Sequence, residues 1–139
     1  MPKTQPYETV TLRYKDVPAF LNHLQKTLRQ HGYSPADLYA IRLACTEALA
    51  NAHKHGNGTD TRKTINIQYR VDRREFSVRI EDRGKGFNPQ TVPDPTAPEN
   101  MEKPDGRGLL LMRTRMDNVK FSKKGNVVNM RRSRRIDIP

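Results

Sequence analysis

The sequence predicts an α+β fold, a two-layer α/β sandwich in which a mixed, mostly antiparallel sheet is covered on one face by helices. Three observations carry that expectation. Short stretches alternate apolar with polar residues, other stretches repeat apolar residues every three or four positions, and the order along the chain is strand, helix, helix, strand, strand, loop, helix, strand, strand. Strands that follow one another directly pair antiparallel, and the helices between them can share one face, which argues against a parallel doubly wound sheet. At 139 residues, a single domain over 1–139 is expected.

The first element, from Tyr7 to Tyr14, alternates Val10, Leu12 and Tyr14 with polar residues as a half-buried strand does. Asp16 stands where a helix N-cap belongs. The helix after it puts Phe20, Leu21, Leu24 and Leu28 on one face and closes at His31-Gly32. Ser34-Pro35 starts a second helix, with Ser as the cap and Pro at the first position, where no N–H is needed. Its apolar stripe, Leu38, Ile41, Cys45, Ala48, Leu49 and Ala52, runs to His55-Gly56. Beyond a loop from Gly56 to Thr61, Ile65, Ile67, Tyr69 and Val71 alternate, then Phe76, Val78 and Ile80, as an antiparallel hairpin turning at Asp72-Arg73-Arg74. Residues from Gly84 to Gly108 carry prolines at 89, 93, 95, 98 and 104 with little apolar periodicity, so a long loop is expected there. Leu109 to Met116 form a third helix, and Val119–Phe121 and Asn126–Met130 a closing hairpin around Lys124-Gly125-Asn126.

Composition narrows the partners. With 26 Lys plus Arg against 15 Asp plus Glu, the formal charge of +11 favours an anion: a nucleotide, a nucleic acid or an acidic protein surface. Hydrophobic residues reach only 34% and Trp is absent, so the core must be aliphatic. The single cysteine, Cys45, sits on the apolar stripe and reads as core packing in a reducing compartment. No apolar run approaches the roughly 18 residues of a membrane span and the N-terminus lacks an apolar leader, so a cytoplasmic location and no membrane are expected.

Three segments carry chemistry. Glu47, Asn51 and His55 recur every four residues on the second helix, forming one polar stripe beside the apolar one. A carboxylate one turn before a carboxamide can orient a hydroxyl with the first group and ligate a hydrated metal ion with the second, although a solvated helix face has the same pattern. Asp82 shares the parity of Phe76, Val78 and Ile80 and so faces the covered side of the sheet at the strand's end. The glycines in Asp82-Arg83-Gly84-Lys85-Gly86-Phe87 let a flat ring approach the backbone, with Asp82 accepting from an exocyclic amine; an ordinary glycine turn reads the same way. Gly106-Arg107-Gly108 precedes the third helix, whose free N–H groups suit a polyphosphate, or else serves as a hinge. No Walker loop or Rossmann fingerprint is present. The run Arg131-Arg132-Ser133-Arg134-Arg135 with Lys123-Lys124 offers a nucleic-acid patch or a solvated strand end, and no aromatic residue interleaves with it.

Taken in order, Thr46–Asn57 resembles the N-box, Glu81–Phe87 the first glycine box and Gly106–Leu109 the second glycine box of the Bergerat-fold ATPases. Within them the chain is similar to the anti-sigma-factor serine/threonine kinases of bacteria, and the likeness extends through Asp94–Arg113 and Met116–Val119. The resemblance implies a Bergerat-type ATPase sandwich with an ATP lid at about 84–108 and Mg2+-ATP held between helices and lid. It implies transfer of the γ-phosphoryl group to a serine or threonine of a STAS-type anti-anti-sigma protein. By position, Glu47 would be the general base, Asn51 the magnesium ligand and Asp82 the acceptor from the adenine amine. Gly84, Gly86, Gly106 and Gly108 would shape the lid and phosphate site, and His55, Phe87, Arg107 and Leu109 would complete the nucleotide contacts. A sigma-factor partner and a homodimer are implied as well, and nucleic acid is not. The alternative is a member that binds nucleotide and protein partners without phosphoryl transfer. A sensor histidine kinase would need additional dimerisation helices carrying a phosphorylatable His, for which 139 residues leave no room.

Overall fold

The structure, a computed structural model, describes residues 6–84 and 104–135, with the backbone alone over 104–107. Its elements are strand β1 (Glu8–Leu12), helix α1 (Val17–Gln30), helix α2 (Pro35–Asn51), strands β2 (Ile65–Val71) and β3 (Glu75–Glu81), helix α3 (Pro104–Arg115), and strands β4 (Asn118–Phe121) and β5 (Val127–Ser133). A 3-10 turn at Tyr14–Asp16 leads into α1, and a π-helical turn at Ala52–Gly56 ends α2. The sheet order is β1-β2-β3-β5-β4 and all these pairs are antiparallel, so the sheet is more uniform than the mixed one expected.

Local chemistry accounts for the helix starts in different ways. Ser34 caps α2, its Oγ accepting from the Asp37 N–H at 3.2 Å, and Pro35 occupies the first turn. Asp16 occupies the cap position of α1 without a side-chain cap bond, because the 3-10 turn already holds it in helical backbone. That turn also ends β1 at Leu12 rather than Tyr14. Gly32, with φ of 85°, closes α1 in the left-handed region as expected. Helix α3 begins at Pro104, not Leu109. The Pro that read as loop punctuation is a first-turn residue here, and packing of α3 on α2 offsets the roughly 1 kcal/mol that each helical glycine costs.

The covered face of the sheet is where the strands' alternation places it. Ile67 stands opposite Ile80, Tyr69 opposite Val78, and Val78 opposite Met130, all buried beneath Phe20, Leu24 and Leu28 of α1, Ile41, Cys45 and Leu49 of α2, and Met112 of α3. Phe20 meets Tyr69 edge-on with ring centres 5.5 Å apart. Cys45 is wholly enclosed and burial pushes its thiol up to about 12, so it is packing rather than a nucleophile. The other face carries Gln68, Ser77, Arg79, Asn129 and Arg131 and is polar.

One charged cluster crosses the core. Arg132 follows Met130 in parity on β5, so its guanidinium points under the helices, where Nε donates to Asp37 Oδ1 at 3.0 Å. Asp37 is fully enclosed; its other oxygen accepts from the Arg135 N–H at 3.0 Å, and Arg132 Nη1 donates to the Arg115 carbonyl at 2.6 Å. The cluster joins the start of α2, the end of α3 and the end of β5. Nearby, the Arg135 guanidinium holds the Asp117 carboxyl well below the usual carboxylate range, helped by the Ser133 N–H and opposed by partial burial.

The first expected outcome follows from leaving a buried charge unpaired: Asp37→Leu should destabilise by about 3–5 kcal/mol in urea unfolding. The double variant Asp37→Leu with Arg132→Met should recover most of it, and equal losses in single and double variants would contradict the pairing. A depressed carboxyl contributes stability above its unfolded pKa, near 3.9, and loses it as pH falls towards the folded value. Stability should therefore drop below about pH 4, and drop less in Asp117→Asn.

Candidate functional site

The three motif segments meet at one end of the sandwich. Glu47 and Asn51 project half-buried from the last two turns of α2. Helix α3 crosses them at Gly108, where a methyl group would stand 3.1 Å from Glu47 Oε2 and 3.7 Å from the Asn51 carboxamide atoms. Asp82 follows β3 on the covered face and is 7% exposed, beneath the π-turn. The parity argument thus places it where it stands. A cavity of about 20 Å3 lies between Asn51, Ala52, Asp82, Met112 and Asn126. That is the room of about one water among the described residues.

Two glycines bring Asp82 and α2 together. A Cβ on Gly56 would overlap the Asp82 carboxylate, and one on Gly84 would overlap the Gly56 carbonyl. Both are required for close approach; Gly56 has no positive φ, and its backbone asks nothing unusual. Asp82 Oδ1 accepts from the Gly84 N–H at 2.8 Å, and the Asp82 N–H is held by the Asn126 carbonyl at 3.0 Å. Burial raises the Asp82 pKa above its ordinary value and the neighbouring Glu81 charge adds to that, while the Gly84 N–H works against it. Among the described residues nothing hydrogen-bonds to Asp82 Oδ2 or to the Glu47 carboxylate.

Several sequence expectations change. His55 is exposed, because the π-turn, closed by the Asn57 N–H on the Ala52 carbonyl at 2.8 Å, breaks the four-residue repeat that aligned it with Glu47 and Asn51. The turn is braced instead by His53, stacked on Tyr14 with ring centres 4.1 Å apart and planes 3° apart. Gly106 and Gly108 lie within α3 rather than before it. Gly106 still falls among the first-turn positions whose N–H lacks an intrahelical partner, whereas Gly108 packs on Glu47. Leu109 is buried in the core. Gly86, Phe87 and the Arg107 side chain lie outside the described residues, as does most of the expected lid.

A sequence profile of the histidine kinase-like ATPase domain matches residues 10–132. The chain belongs to that family. It is 25% identical over 134 residues to the serine-protein kinase RsbW of Oceanobacillus iheyensis, covering 89% of this chain and 85% of that protein. It is 30% identical over 113 residues to an anti-sigma F factor of Clostridium perfringens, covering 78% and 74%. Among solved structures, one containing the RsbU and RsbW domains of a Mycobacterium tuberculosis protein superposes with a TM-score of 0.63 over 97% of this chain and 34% of that longer one. At 16% identity, that likeness concerns the fold.

The arginines of the basic tail make contacts within the chain. Arg131 pairs with Glu75 at 3.1 Å, Arg132 with Asp37 at 2.9 Å and Arg135 with Asp117 at 2.7 Å. Arg134 donates to the Arg73 carbonyl at 2.6 Å. Each of these four arginines thus has a partner within the chain, and of them only Arg132 is buried; Arg131 and Arg135 stay exposed. Sequence reasoning met Gly56 and Asn57 only as the end of the Thr46–Asn57 box and Asn126 only as a hairpin-turn residue, and gave none of them a role of its own at the site. The overlap at Gly56 gives the prediction: Gly56→Ala should cost about 1–3 kcal/mol in urea unfolding, as overpacking does, and an unchanged midpoint would refute the close approach.

Proposed function

We propose that this protein is an ATP-dependent serine/threonine kinase and anti-sigma factor of the cytoplasm, which phosphorylates a STAS-type anti-anti-sigma protein and, when not so engaged, sequesters a sigma factor. The observation that carries the reading is that Asn51 and Asp82 line one cavity, while Glu47, one turn before Asn51, lies with it against Gly108 of α3. Family membership and the names of the relatives, serine-protein kinase and anti-sigma F factor, support it.

Each side chain fits its role. Asp82 has an oxygen unused by its own turn and accepts from the exocyclic amine of adenine. The Asn51 carboxamide oxygen is an uncharged hard ligand beside the start of α3, suited to a magnesium ion that keeps most of its waters. Magnesium, when bound, supplies neutralisation of the charge on the phosphate oxygens. Glu47 takes the proton from the attacking hydroxyl as the oxygen–phosphorus bond forms to the γ-phosphorus and the bond to the bridging oxygen breaks, leaving ADP. The first-turn N–H groups of α3, Gly106 among them, hold phosphate oxygens. The sequence resemblance further implies a homodimer, which sedimentation equilibrium tests.

Calorimetry and labelling with γ-labelled ATP separate the roles. Asp82→Asn should weaken ATP about tenfold or more, since a buried charge-assisted hydrogen bond contributes about 1.5–3 kcal/mol. The raised Asp82 pKa gives the sign with pH: the ionised acceptor is lost as pH falls through that value, so ATP affinity drops on acidification, and drops less in Asp82→Asn. Glu47→Ala should still bind ATP yet label a STAS substrate about 10²–10⁴ times more slowly. Asn51→Ala should make nucleotide affinity nearly independent of magnesium. Equal labelling by wild type and Glu47→Ala would leave nucleotide-dependent binding without transfer as the function.

A further inference from the structure

We propose that Asn57 is a positioning residue that aims Asp82 and thereby sets the preference for an adenine over a guanine base. The proposal rests on the reading of Asp82 as the acceptor from the base. Asn57 is 2% exposed and lies just past the π-turn. Its Oδ1 accepts from the Arg83 N–H at 2.7 Å, and its Nδ2 donates to the Thr64 carbonyl at 3.1 Å. Its own N–H is spent on Ala52 and its carbonyl on the Asp60 N–H at 3.1 Å, so every polar group of the residue is engaged.

Three successive N–H groups define the Asp82 turn. That of Asp82 goes to the Asn126 carbonyl, that of Gly84 to the Asp82 carboxylate itself, and that of Arg83 to Asn57. Only the last is held by a side chain from elsewhere in the fold. Loss of this acceptor leaves the Arg83 peptide free to rotate, and the flanking peptide carries the Asp82 side chain with it. The base edge explains why aim matters. Adenine offers an amine at its six position and guanine a carbonyl oxygen, so a correctly placed carboxylate attracts the first and repels the second. A misplaced one distinguishes neither. A purely structural tether would weaken both nucleotides by the same factor.

The test uses the full chain and calorimetric titration with ATP and with GTP in magnesium. Wild type should prefer ATP; Asn57→Ala should lose about tenfold or more in ATP affinity while GTP affinity changes less than about threefold. Asn57→Asp, which keeps an acceptor oxygen for the Arg83 N–H, should retain most of the ATP preference. Unchanged ATP affinity in Asn57→Ala, or parallel weakening of both nucleotides, would overturn the proposal. Should Asn57→Ala fail to fold, amide hydrogen exchange in the wild-type protein decides: the Arg83 N–H should exchange slowly, and unprotected exchange would overturn the tether. Wild-type ATP affinity in Asp82→Asn alongside a protected Arg83 N–H would instead bring down the adenine assignment on which the proposal stands.

Discussion

The end of α2 lies directly on the end of β3 because two residues there have no side chains. Gly56 leaves room for the Asp82 carboxylate, and Gly84 leaves room for the Gly56 carbonyl. Everything at the site depends on this contact. It puts the carboxylate that follows the sheet within one cavity of the polar stripe of α2, and it makes burial, rather than a cationic partner, the main influence on Asp82. The π-turn is the local accommodation. Its wider hydrogen-bonded ring carries the backbone from the axis of α2 down to the sheet, and the Tyr14–His53 stack supports it from outside.

Much of this arrangement was legible in the sequence because it rests on periodicity. The strand parity that buries Ile67, Tyr69, Val78 and Ile80 also buries Asp82, and the spacing of Glu47 and Asn51 survives because both lie in regular helix. Legibility fails where the backbone leaves the ideal period. His55 is exposed for that reason, and the two glycines at 106 and 108 are absorbed into α3 by packing that no local pattern encodes. The contacts of Asn57 and Asn126 were not legible for a different reason: each acts through a backbone partner that is remote in sequence, and nothing in a single chain marks such a pairing.

Charge illustrates the same division between composition and placement. A formal +11 invites a polyanion, yet the arginines of the β5 end satisfy internal carboxylates and carbonyls. The Asp37–Arg132 pair in particular is a desolvated charge pair that ties the start of α2 and the end of α3 to β5. Because α3 carries Gly108 over Glu47, an interaction at the far end of the helix bears on the alignment of the site.

The sheet order has a consequence for how the chain matures. Strand β5 lies between β3 and β4, inside the sheet, although every other described element precedes it along the chain. During synthesis β3 therefore waits with one edge bare until residues beyond 127 have left the ribosome, and Asp37 waits for its counter-ion until residue 132. At about 5–20 residues per second, the stretch from the end of β3 to the end of β5 takes some seconds to appear. Until then the edge of β3 is an open template for other strands, and the same strand, β5, supplies both its missing partner and the Arg132 that neutralises Asp37.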